Sequence, residues 1–190
     1  MKKIVMLLAL FVPLITVAQK EIKPSLTKAE KALREAKYAE AKAIIDATVA
    51  SQEFMVDKKG QPSKNAAKAW YLKGLVYSAF DTTKNAEAKK LEANAFQVAK
   101  EAFTKCQELD GGKSTSFIND ASGLPILDAQ MKPFLAQSYF SKAVAAYQEE
   151  KDYKKAFALT ENTLFFIPSD TAVLMNAGVF FGPAAEEDDK

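Results

Sequence analysis

The sequence contains no histidine and one cysteine, Cys106, and those two facts set the limits of its chemistry. Without imidazole there is no Ser–His or Cys–His pair for nucleophilic catalysis, and the commonest metal ligand and general base are missing. One thiol forms neither an internal disulfide nor a thiolate zinc site. Carboxylates remain. The densest are Glu149-Glu150 and Glu186-Glu187-Asp188-Asp189, but neighbours along a helix do not face one another, so neither group converges on a substrate. No stretch has the glycine spacing of a phosphate loop or the acidic spacing of a calcium loop. The expectation is a protein that is not an enzyme, with no catalytic residue, no cofactor and no metal, in which Cys106 is a buried, inert thiol.

The N-terminus speaks to location. Residues 1–18, MKKIVMLLALFVPLITVA, place Lys2 and Lys3 before an uncharged apolar run that ends in Thr16-Val17-Ala18, the layout of a secretory signal peptide. The run from Ile4 to Ala18 is interrupted by Pro13 and falls short of the roughly 20 residues a membrane span needs. No cysteine lies near the junction for lipid attachment. The expectation is export to the periplasm or beyond, with residues 19–190 as the mature domain and no membrane span after cleavage. Lys2 and Lys3 account for the formal charge of +2, so the mature chain is near neutral. It has no basic excess for phosphate, and nucleic acid is not an expected partner.

The elements that would carry any binding surface are helices. Glycine and proline number seven each in 190 residues, with 48% apolar side chains, a balance that favours one helical domain over a sheet. Two segments superimpose at an offset of 34 residues: Phe140, Ala143, Val144 and Tyr147 in the first, and Leu174, Ala177, Gly178 and Phe181 in the second. The spacing within each is one face of an α-helix. Between them Ala156, Thr160 and Thr163 outline a second helical face that stops at Pro168. A further copy carries Trp70, Gly74 and Tyr77, followed by Ala99, Phe103 and Cys106. An N-terminal one shows Ala29, Ala32 and Leu33, then Ala41, Ile45 and Thr48. KYAEA at 37–41 matches DYKKA at 152–156, each with a tyrosine three residues before the shared alanine.

This pattern resembles the tetratricopeptide repeat, whose W-x2-L-G-x2-Y, A-x3-F and P positions recur every 34 residues. It departs from that pattern where Lys73 replaces the usual leucine, where about 13 extra residues near 81–93 separate two helices, and where Gly111-Gly112 stands in for the terminating proline. The resemblance implies an all-α superhelix, a solenoid of antiparallel helix pairs, with repeats near 25–55, 67–112 and 137–170 and an incomplete one at 171–190. Small residues such as Gly74, Ala99, Ala143, Ala156 and Ala177 would sit where helices cross, and Trp70, Tyr77, Phe103 and Tyr147 would fill the gaps between pairs. Residues 51–66 and 111–125 read as loops. Residues 126–136 read as an N-terminal extension of the Phe140 helix, with Pro133 in a first turn or at a kink.

In that family the first helix of each pair lines a concave groove that takes a peptide or a partner helix. By the same count the groove here consists of Lys68, Tyr71 and Leu75, then Ser141, Ala145 and Gln148, then Met175 and Val179; Tyr71 and Leu75 could equally be core. The basic and amide clamp that some members use on a C-terminal carboxylate is not reproduced. The functional expectation is a non-catalytic scaffold that binds a protein or peptide in the cell envelope. The alternative is binding of carbohydrate or a small ligand, for which Tyr71, Phe54 and Phe117 would have to share a face. Residues 171–182 form a first helix without its mate, so Leu174, Met175, Val179, Phe180 and Phe181 need cover, from further repeats or from self-association.

Overall fold

The computed structural model describes residues 22–187; the segment 1–18 read above as a signal peptide, and residues 188–190 of the acidic C-terminal run, lie outside the described residues. Three helix pairs follow one another along the chain. The first is α1 (Leu26–Arg34) with α2 (Tyr38–Ala50), followed by the single turn α3 (Gln52–Met55). The second is α4 (Ala66–Thr82) with α6 (Ala95–Asp110), and the intervening insertion folds partly as α5 (Ala86–Lys89). The third is α7 (Asp128–Ala145), prolonged by a π-helical turn at Ala146–Glu150, with α8 (Tyr153–Phe166). The described chain ends in α9 (Thr171–Met175), a π-helical segment at Asn176–Phe181, and α10 (Gly182–Glu187).

Local chemistry sets these boundaries. Ser25, Asp152 and Asp170 cap α1, α8 and α9, accepting the backbone N–H of Lys28, Lys155 and Val173 at 3.3, 3.0 and 2.9 Å. The turn within the first pair and the turn within the third are built alike. Each turn holds a non-glycine residue in the left-handed region, Ala36 at φ 53° and Lys151 at φ 57°, directly before the matching KYAEA and DYKKA segments. That conformation costs a side-chain-bearing residue on the order of 1 kcal/mol, so its recurrence at corresponding places ties the sequence match to backbone geometry. Ala41 and Ala156, the shared alanines, are both fully buried.

Close approach defines the second pair. A Cβ built on Gly74 would lie 2.7 Å from the Phe103 ring, so α4 and α6 meet there without room for a methyl group. Phe103 in turn stands edge-on to Tyr71 at 5.5 Å and to Phe166 at 5.6 Å, linking the second pair to the third. The departure at Lys73 also has a physical account. Its ammonium lies 3.0 Å from Asp46 of α2 and over the rings of Trp70 and Tyr77 at 5.6 and 5.3 Å. Asp46 also accepts the Tyr77 hydroxyl at 2.8 Å. A lysine thus joins the first pair to the second through its charge while its stem packs on aromatic rings.

The chain is mostly helical, as expected, with corrections in both stretches read as loops. Residues 51–66 include α3 and an isolated β-bridge between Val56 and Pro62. In the stretch read as loop at 111–125, reaching into the first residues read as helix at 126–136, β1 (Ser116–Asn119) pairs antiparallel with β2 (Pro125–Leu127), with Ile118 opposite Ile126. Asp120 sets the turn by accepting the N–H groups of Ser122 and Leu124 at 2.8 and 2.9 Å. The hairpin leads directly into α7, whose interior includes Pro133. It packs against α4. The buried face of α7 runs through Leu135, Ala136, Tyr139 and Ala143, continuing to Ala146. Of the stripe read from the sequence, Ala143 is fully buried and Phe140, Val144 and Tyr147 are half-buried.

Candidate functional site

The hairpin divides two clefts. Successive strand residues point to opposite faces, and here Phe117 lines one cleft while Ile118 lines the other.

The larger cleft, about 550 Å³, is bounded by the first helix of each of the three pairs. Helix α1 supplies Leu33, α4 supplies Leu72, Leu75 and Ala79, and α7 supplies Met131 and Phe134. Ile118 and Ile126 of the hairpin close one side. The lining is predominantly apolar, and Phe134 stands 68% exposed. At the margin Arg34 bonds Glu30 at 3.1 Å, and the Asp120 carboxylate accepts backbone N–H groups of its own turn.

The smaller cleft, about 270 Å³, lies among the C-terminal ends of α6 and α8, the start of α7 and the opposite face of the hairpin. Tyr71 stacks on Phe117 with centroids 4.6 Å apart, and its hydroxyl donates to Asp128 at 3.2 Å. Lys132 pairs with the other Asp128 oxygen at 2.6 Å. Asp110 accepts the backbone N–H and the hydroxyl of Ser114, and these bonds hold its carboxyl below the usual aspartate range. Burial, followed by the charge of Asp128, pushes the Tyr71 phenol well above its ordinary range. Burial, with the charges of Asp110 and Asp128, raises the Cys106 thiol to about 12. Cys106 is therefore a neutral thiol at neutral pH, in the buried position read for it.

The eight groove positions do not line one cleft. Tyr71 and Leu75 are 4% and 5% exposed, so for these two the core alternative is the structural outcome. Leu75 touches the larger cleft, Tyr71 the smaller, and Lys68 a third one near the start of α4, where it also lies 3.8 Å from Glu30. Ser141, Ala145, Gln148, Met175 and Val179 line none of the three clefts. Met175 and Val179 are 56% and 60% exposed on α9 and the π-helical segment that continues it, beside Leu174 and Phe180, whereas Phe181 is buried against Tyr147 and Phe140. Tyr71 and Phe117 do come together, but Tyr71 is buried and Phe54 on α3 lines none of these clefts, so the three aromatics make no common platform. Sequence reasoning did not place Leu33, Leu72, Met131 and Phe134 on a cleft: it named groove positions on α4 and α7 but none on α1, and it did not foresee the hairpin that closes one side.

Among the described residues no helix is long and apolar enough to cross a membrane, and no three acidic or cysteine side chains gather as a metal site would require. No protein-family model matches this chain significantly, and no curated protein or solved structure does so either.

Proposed function

We propose that this chain is a non-catalytic interaction protein of the bacterial cell envelope, exported by its N-terminal leader and built on tetratricopeptide-like helix pairs. Its binding surface is the larger cleft, and its partner there is a peptide segment or helix with an apolar face. The observation that carries this reading is the makeup of that cleft, in which the first helices of three successive pairs contribute to one apolar trough with Phe134 68% exposed. Covering such a surface is favourable by about 25 cal/mol per Å² of apolar area. An exposed aromatic beside a pocket is also the kind of residue that dominates interface energetics. Because Glu30 and Arg34 neutralise each other at the margin, selection rests on apolar shape more than on charge.

The test places a photo-crosslinking amino acid at Phe134 in cells of the source bacterium, with a control probe at Lys151 on the turn after α7. The expected result is a discrete protein adduct from position 134, absent from position 151, and reduced at least several-fold by Met131→Asp in the same cleft. Adducts of equal yield from both positions, or an adduct indifferent to Met131→Asp, would overturn the reading.

A further inference from the structure

The smaller cleft plays no part in the proposed interaction surface, and its chemistry is different. We propose that it is a binding site for a small organic cation, an ammonium group carried on a compact apolar body. At about 270 Å³ it falls just below the size range of drug-sized ligand pockets, roughly 300–1,000 Å³, so the ligand is compact. Its walls include the half-buried rings of Phe103 and Phe117, and aromatic rings attract cations through their quadrupole; Tyr71, buried and stacked on Phe117, enters only through its hydroxyl on Asp128.

The charge of the lining has the matching sign. Asp110 and Asp128 face one opposing cation, Lys132. Asp110 is held as the anion by two hydrogen bonds from Ser114. Asp128 already accepts from Tyr71 and Lys132, yet each carboxylate oxygen has a second lone pair for another donor. Cys106 lines the same cleft, and there burial acts first and the two aspartates next to raise its thiol, with Lys132 opposing them. Lys132 is the movable part. Its side chain is 52% exposed, and its bond to Asp128 is an i,i+4 pair on one helix, a contact of small net value that a flexible stem can leave. An incoming ammonium takes its place against Asp128 while the body of the ligand lies along the rings. An anion would meet two carboxylates, and a neutral body would forgo the attraction of both.

The test uses the full chain in calorimetric titration with three probes of nearly one shape: phenethylamine, 2-phenylethanol and phenylacetate. The amine is expected to bind at least about tenfold more tightly than the alcohol, a difference of roughly 1.4 kcal/mol, and phenylacetate not to bind. Asp110→Asn, at a half-buried helix end, weakens the amine and leaves the alcohol unchanged. Lys132→Gln, which frees Asp128, tightens the amine. Equal affinity for amine and alcohol, preference for phenylacetate, no binding of any probe, or a weaker amine complex in Lys132→Gln would each overturn the assignment.

Discussion

Gly74 and Gly178 stand at the same place in the repeated pattern, four residues after Trp70 and Leu174 respectively, and the molecule treats them in opposite ways. At Gly74 the second helix of the pair presses in so closely that the Phe103 ring occupies the space of a Cβ. At Gly178 nothing lies within 4 Å of where a Cβ would be. Most flanking side chains differ in the same sense: Leu72 and Val76 around Gly74 are buried, while Leu174, Val179 and Phe180 around Gly178 are 45–60% exposed, although Tyr77 and its counterpart Phe181 are both buried. The same residue type therefore has two meanings. One glycine is required by a neighbour, and the other is a position at which no described neighbour has closed. A repeat pattern identifies where a helix can be approached, and packing alone shows whether it has been.

The sharpest way to break this comparison is Gly74→Ala. The new methyl group must displace the Phe103 ring, which is itself wedged between Tyr71 and Phe166. Overpacking of this kind costs about 1–3 kcal/mol, and urea unfolding should show a loss near 2. Combining it with Phe103→Leu should recover part of that loss, giving a favourable coupling energy in the double-mutant cycle. Simple additivity of the two changes would mean that the α4–α6 approach is not what glycine serves at this place.

A smaller effect is expected one residue earlier in the pattern, where Lys73 stands in line with Ala143 and Ala177. Burial raises the Asp46 carboxyl, but hydrogen bonds from Tyr77, Lys73 and Lys42 outweigh it and hold the folded-state value below the ordinary one. A carboxyl depressed in the folded state adds stability that is present above its unfolded pKa of about 3.9 and is lost as pH falls through the folded value. Unfolding free energy should therefore decline below about pH 4. Asp46→Asn should lower stability by about 1–2 kcal/mol at neutral pH and flatten that part of the acid profile. An unchanged profile would show that Lys73 is held by its ring contacts and not by Asp46.

Much of this architecture is legible from residue types because close helix contact has few solutions. Gly74 opposite Phe103, the buried Ala41 and Ala156, and the burial of Cys106 all follow from small residues at helical spacing in an alanine-rich chain. The side of the helices left open to the larger cleft is less legible for a definite reason. Helices α4 and α7 are apolar on more than one side, with Trp70, Tyr71, Leu72, Leu75 and Val76 in one and Phe134, Leu135, Tyr139 and Phe140 in the other. A helix that is apolar nearly all round gives no periodic clue to the side left open. That side is set by the hairpin at 116–127, whose strands are three and four residues long, too short for a period-2 signal to stand out from a glycine- and serine-rich stretch. Tyr71 and Leu75 are consequently buried, and the exposed aromatic of the cleft is Phe134 on the neighbouring first helix.

The smallest expected effect has the opposite sign. Gly178 has ordinary negative-side backbone geometry, sits inside a helical segment and has open space around its missing Cβ. Alanine there should stabilise by about 0.5–1 kcal/mol, because glycine carries the greater backbone entropy in the unfolded chain and alanine has the higher helix propensity. Calorimetric melting of Gly178→Ala beside Gly74→Ala makes the contrast quantitative: one chemical change at equivalent places of the pattern should shift the transition up in one helix and down in the other. If Gly178→Ala were also destabilising by 1 kcal/mol or more, something in solution would be seated against that helix as Phe103 is against α4. A dependence of that loss on protein concentration would then point to a second copy of this chain, pressed onto Leu174, Met175, Val179 and Phe180.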